Sequence, residues 1–155
     1  MLRIYTTYIR PLIEYACQAW RPYLAKDINL LEGIQRRFTR SIQGMKGLSY
    51  EERITVLGIQ TVQERFNYLD IVEVYKVYNR IDIVNGDLFK KFESSGLSTR
   101  TSKKSNLEVP QTKLNLREQS FRVRGAKSWN CLPSYLQEEK SLYNFKENLK
   151  KYLEF

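Results

Sequence analysis

Apolar side chains return every three or four residues along most of this chain, the period of a helix that buries one face. The two-residue alternation of a half-buried strand is almost absent. Leu2, Tyr5, Ile9, Leu12, Ile13, Ala16 and Trp20 share one helical face. Pro11 interrupts it, and because proline lacks the N–H that a helix interior needs, it is expected to kink or restart the helix. "RPYLAKD" reads as a loop with Asp27 as N-cap, from which Ile28, Leu31, Ile34, Phe38 and Ile42 form a stripe that Gly44 ends. Ser49 with Glu52, and Thr61 with Glu64, have the three-residue spacing of a capping box. The first of these helices stops at Gly58. The second, "TVQERFNYLDIVEVYKVYNR", is apolar on more than one face and is expected to be the most buried.

Further along, Ser120 can cap a helix in which Phe121, Gly125 and Trp129 share a face before Pro133 stops it, and Ser141 can cap a last helix with the stripe Leu142, Phe145, Leu149 and Leu153. Between these groups "NRIDIVNGD" reads as a turn and "LFKKF" as a short helix. Residues 94–113 read as a mobile surface loop, with "NLEV" a brief strand before Pro110. The expected fold is mainly α: an irregular helical bundle of about six to seven helices with one long basic Ser/Thr/Lys-rich loop. A length of 155 residues with 42% hydrophobic content fits a single domain, 1–155, with a real core and no internal repeat.

Charge changes this picture. Twenty-six Lys and Arg against 17 Asp and Glu leave a formal +9, which favours an anionic partner or surface. No histidine is present, so imidazole catalysis and His-ligated metals are excluded, and the two cysteines, Cys17 and Cys131, cannot build a zinc site alone. They read as free thiols of a reduced compartment, each a small buried hydrophobe. The scattered glycines form no phosphate-binding loop. No cofactor, no metal and no catalytic residue are expected, nor is any membrane segment or signal peptide. The expected location is intracellular, nuclear or cytoplasmic.

Several phrases follow one another in a specific order: "YIRPLIEYACQAWRPY", "DINLLEGIQRRFTRSIQGMKGLSYEERITVLGI", "DIVEVYKVYN", "RGAKSWNCLPS" and "SLYNFKENLKKYL". Together they resemble the region after the palm in reverse transcriptases of non-LTR retrotransposons similar to the jockey group, over nearly the whole chain. That resemblance implies a thumb and post-thumb region of an RNA-directed DNA polymerase, which grips the template-primer duplex. The paired aspartates of the palm, the fingers and the endonuclease are absent here. A Thr-Arg-Gly-His run common in relatives is replaced by "STRTSKKSN". Met1 falls where such a thumb begins, leaving a recombinant piece, a truncated element and a host-derived protein as alternatives. The palm and fingers of a reverse transcriptase would be partners of a fragment.

The candidate nucleic-acid-binding residues follow from both lines of reasoning. Arg36, Arg37, Arg40 and Lys46 lie off the apolar stripe, with no acid after Glu32 to neutralise them. A run of charge is ordinarily a solvated helix face, and the resemblance shifts the expectation to phosphate contact, for which the planar guanidinium fork is suited. From Arg100 to Lys127, eight cations and two acids give a local +6, and Arg122, Arg124 and Lys127 flank an expected helix there. Trp20 and Trp129 are read as core anchors. No binding role is given to Tyr5, Tyr8, Tyr50 or Tyr68. The expected partner is the backbone of an RNA–DNA hybrid or duplex, bound without sequence readout. The alternative is a host-derived structural or protein-interaction domain with a basic surface.

Overall fold

The structure, a computed structural model, describes residues 1–82, 88–91 and 106–154. It is mainly α-helical and irregular, as the periodicity implies. Among the described residues the β contact present is an isolated antiparallel bridge between Lys91 and Leu107. Where the sequence reads as one domain, the chain groups into two compact units, Met1–Asn67 and Tyr68–Glu154. No helix of the described residues is long and apolar enough to cross a membrane.

The first unit opens with α1 (Leu2–Ile4), a π-helical turn (Tyr5–Ile9), α2 (Arg10–Glu14) and α3 (Cys17–Trp20). The wide turn lies just before Pro11, whose missing N–H breaks the regular ladder. Ala16 then adopts a left-handed backbone, φ 50°, and starts a new helical direction. The single face expected from Leu2 to Trp20 is therefore divided. Tyr5, Ile13 and Cys17 are buried, while Leu12 is 79% exposed and Trp20 43%. Trp20 is not the core anchor expected. Its ring edge rests on Phe66, centroids 5.7 Å apart, and its Nε1 donates to the Tyr15 carbonyl at 2.6 Å.

Next come α4 (Ala25–Ser41) and α5 (Tyr50–Leu57). The α4 N-cap is Leu24, with Asp27 inside the first turn, and the helix ends before Gly44, which sits in a turn at φ 83°. α5 has the capping box its sequence announced: the Ser49 side chain accepts from Glu52 N–H, and the Glu52 carboxylate accepts from Ser49 N–H at 2.7 Å. Gly58 closes it in the left-handed conformation that a Cβ would oppose. Thr61 and Glu64 repeat the device at the start of α6 (Val62–Tyr78), whose first residues belong to this unit.

The second unit is built on the rest of α6, with α7 (Asn115–Glu118), α8 (Phe121–Asn130), α9 (Ser134–Gln137) and α10 (Leu142–Tyr152). Its core is aromatic: Tyr75 stacks on Phe145 at 4.1 Å between centroids, and Trp129, fully buried, sits beside Tyr78 at 5.0 Å. Gly125 lets α8 approach α6, since a Cβ there would lie 2.8 Å from Val74 Cγ2. Leu107 is clamped by Asn130, whose side chain accepts from its N–H and donates to its carbonyl, each at 2.8 Å. That is what becomes of the expected "NLEV" strand. Leu88–Lys91 is not helical, so "LFKKF" is not the helix expected over its described part. Of the expected loop 94–113, residues 94–105 lie outside the described residues, and 106–113 have no regular element beyond the Leu107 bridge.

Candidate nucleic-acid interface

α4 supplies the site because of what it turns inward. Its apolar stripe was expected to face the core, yet its buried residues are Glu32, Gln35 and Thr39, with Ile34 41% exposed. Burying polar groups is tolerable only when their hydrogen bonds are made. Here they are. Tyr5 hydroxyl donates to Gln35 Oε1 at 2.5 Å, and Gln35 Nε2 donates to Tyr50 hydroxyl at 2.9 Å and to the Gln60 carbonyl at 2.8 Å. Tyr50 hydroxyl donates to Glu32, whose other oxygen accepts from Val62 N–H at 3.0 Å. Burial pushes the Tyr5 hydroxyl up to about 12, against a smaller lowering by Arg10, and Glu32 and Glu14 add to the rise. Burial first, then the hydrogen bond to Glu32, raises Tyr50 further still. Both phenols stay protonated at ordinary pH and act as donors.

This network removes the last acid of α4 from its surface. The outer sector carries cations and no acid, with Leu30, 69% exposed, at its edge. With about 100° per residue, Arg36, Arg37 and Arg40 stand three, four and seven positions after Gly33, and Lys26 and Asn29 seven and four before it. All five are exposed, and they fall within roughly 60° on either side of Gly33. Neither acid of the helix, Asp27 or Glu32, lies in that sector. Lys26 and Asn29 were missed in the sequence reading, although their seven- and four-residue offsets were available. Lys46 is exposed in the turn beyond α4.

Among the described residues, Arg36, Arg37, Arg40 and Lys46 form no ion pair. Arg36 rests on the Tyr50 ring, its guanidinium carbon 4.9 Å from the centroid, a contact that orients the fork without neutralising it. Arg53, 5% exposed, approaches the same ring at 5.8 Å and donates to Leu48 carbonyl at 2.6 Å. Arg40 lies in the last turn of α4, where a cation also suits the helix dipole.

The second candidate group is arranged differently. Arg124 is turned to Asp70, only 2% exposed, with Nε 2.8 Å from Oδ2, and its Nη1 donates to Gln119 carbonyl at 2.6 Å. Lys127 pairs with Glu118 at 2.6 Å on the surface. Arg122 is half-buried, its Nε enclosed without a hydrogen-bond partner among the described residues. These three do not form a free cationic cluster within their unit, and they belong to a different unit from the α4 arginines. The Arg124–Asp70 pair has a structural job, because removing one member of a buried pair leaves the other charge uncompensated.

Other sites offer less. Of Tyr5, Tyr8, Tyr50 and Tyr68, Tyr8 alone is exposed, so stacking on bases is closed to the rest. A small cavity beside Tyr5, Ile13, Val62 and Phe66 is neutralised from within, Glu14 meeting Arg65 Nε at 2.7 Å and Arg10 Nε at 3.2 Å. Cys17 is buried and Cys131 exposed, so only Cys17 is the small core residue expected. Among the described residues no group of three or more Cys, Asp or Glu could hold a metal ion. The chain matches no protein-family model, no curated protein and no solved structure.

Proposed function

We propose that this chain is a non-catalytic nucleic-acid-binding module, similar to the thumb of a non-LTR retrotransposon reverse transcriptase, that grips duplex backbone without reading sequence. The observation that carries the reading is the α4 face: Arg36, Arg37 and Arg40 exposed together, without carboxylate partners among the described residues, because Glu32 is drawn inward. Arginine forks at that spacing suit successive phosphate oxygens, and such contacts give affinity without base discrimination. Lys46 flanks the face. Arg122, Arg124 and Lys127 are secondary in this reading, since two of them are committed to carboxylates. An intracellular location, nuclear or cytoplasmic, and the palm and fingers of a reverse transcriptase as partners of a fragment belong to the same reading.

The test is the salt dependence of binding. Each phosphate contact releases condensed counterions, so the log of affinity falls with the log of salt by roughly 0.9 per contact on B-DNA. Changing Arg36, Arg37 and Arg40 together to Gln keeps helix propensity and should flatten that slope by roughly two to three units, equally for unrelated sequences. An RNA–DNA hybrid is measured beside DNA. Equal affinity and slope in parent and variant would sink the reading.

A second reading, a structural or protein-interaction module, is favoured by a separate observation. Ile4, Tyr8, Leu12 and Tyr15 of the N-terminal segment are all large apolar or aromatic residues left exposed, Leu12 and Tyr15 each 79%. Exposed apolar side chains concentrated on one segment suit a protein contact.

A further inference from the structure

Gly33 stands in the interior of α4, where alanine is intrinsically more stable, and among the described residues no close neighbour or positive φ asks for a glycine there. The other described glycines of this chain set the contrast. Gly125 is required by the close approach of Val74, and Gly44 and Gly58 by their positive φ angles. Gly47 lies in a turn. At Gly33 the backbone is ordinary helix, and beyond its chain neighbours and its own helix backbone an added Cβ would meet no atom of the described residues within 4 Å. Gly33 is thus a notch without a filling, centred among Lys26, Asn29, Arg36, Arg37 and Arg40.

We infer that Gly33 is the point at which a phosphodiester backbone crosses α4 in direct contact with the helix. This rests on the reading of α4 as an anion-binding face and deepens it by saying where the anion lies. A residue without a side chain lets a ligand come close to the helix backbone. The cations around it then reach the phosphate from both sides of the notch, Lys26 and Asn29 toward the start of the helix, the arginines toward its end. Coulomb attraction grows as separation shrinks, and closer approach also displaces water, so the notch strengthens every cation around it without adding charge. Asn29 adds a neutral donor to the same phosphates.

Two substitutions test this on the whole chain: Gly33→Ala and Gly33→Leu. The Cβ added in both variants enters open space among the described residues, and both changes raise helix propensity, so the thermal midpoint should equal or exceed that of the parent. Binding is read by anisotropy with a short labelled RNA–DNA hybrid and a DNA duplex of the same sequence, at several salt concentrations. The expected result is a several-fold loss of affinity for Ala and a larger loss for Leu, with the salt slope close to that of the parent because no cation is removed. Unchanged affinity in both variants, with the midpoint held or raised, would overturn the inference. The Gln triple variant of Arg36, Arg37 and Arg40 separates the two ideas. If it flattens the slope while the Gly33 variants bind as the parent does, this inference alone fails. If the parent binds neither duplex, or the triple variant binds as the parent does, the reading of the face fails and this inference with it.

Discussion

Trp129 has no exposed surface, and its ring meets Tyr75, Tyr78 and Phe145 at 6.4, 5.0 and 6.2 Å between centroids. No smaller side chain could keep those contacts, and the surrounding aromatic rings are too stiff to close the space. Trp129→Ala should therefore lower the unfolding free energy by about 3–5 kcal/mol, measured by denaturant titration. A loss under about 1 kcal/mol would mean the core relaxes around the cavity. Trp20 illustrates the opposite lesson at the same scale. Its spacing resembles that of a core residue, yet the left-handed Ala16 sends it to a half-exposed position against Phe66. Arg124 is a third case: its position beside Arg122 and Lys127 suggested a surface cluster, and the buried Asp70 on α6 claims it.

Among the elements, α5 is short and its termini carry much of its stability. Ser49→Ala removes the side chain that accepts from Glu52 N–H, and should cost about 1 kcal/mol of unfolding free energy. Glu52 completes the box, and its hydrogen bonds from the Ser49 backbone and side chain hold its carboxyl below the ordinary value of 4.5. A carboxyl depressed on folding stabilises above its unfolded pKa, and that contribution disappears as pH falls through the lower folded value. Parent and Glu52→Ala should thus differ in thermal midpoint at neutral pH and converge below about pH 4. A constant difference across that range would show that Glu52 acts through packing instead.

For the whole molecule, the absence of histidine bears on chemistry rather than on fold, and the proposed thumb-like module is a non-catalytic one. The purified chain, given primer, template, nucleotides and a divalent cation, should extend no primer and cut no nucleic acid. Metal-dependent incorporation of nucleotides would overturn the non-catalytic reading. The charge excess of +9 is a property of the entire chain, but it becomes a surface only where acids are absent or turned away. α4 meets that condition through Glu32. In the second unit, Asp70 and Glu118 take up cations instead.

Local signals were legible in the sequence because their physics is local. Both capping boxes, the left-handed stop at Gly58, the buried run of α6 and the stripe through Phe145 and Leu149 depend on residues within one or two turns of each other. The arginines of α4 were legible as a group for the same reason. Which face of α4 turns inward was not, since Glu32, Gln35 and Thr39 are buried only by virtue of Tyr5, Tyr50, Arg53 and Val62, up to thirty residues away. The same holds for the pairing of Arg124 with Asp70 over 54 positions, and for the closeness of Val74 that requires Gly125. Helical period alone determined that this chain is helical and where its main helices lie. Tertiary contact decided which charges remain at the surface, because a buried polar group is tolerated only where distant partners complete its hydrogen bonds.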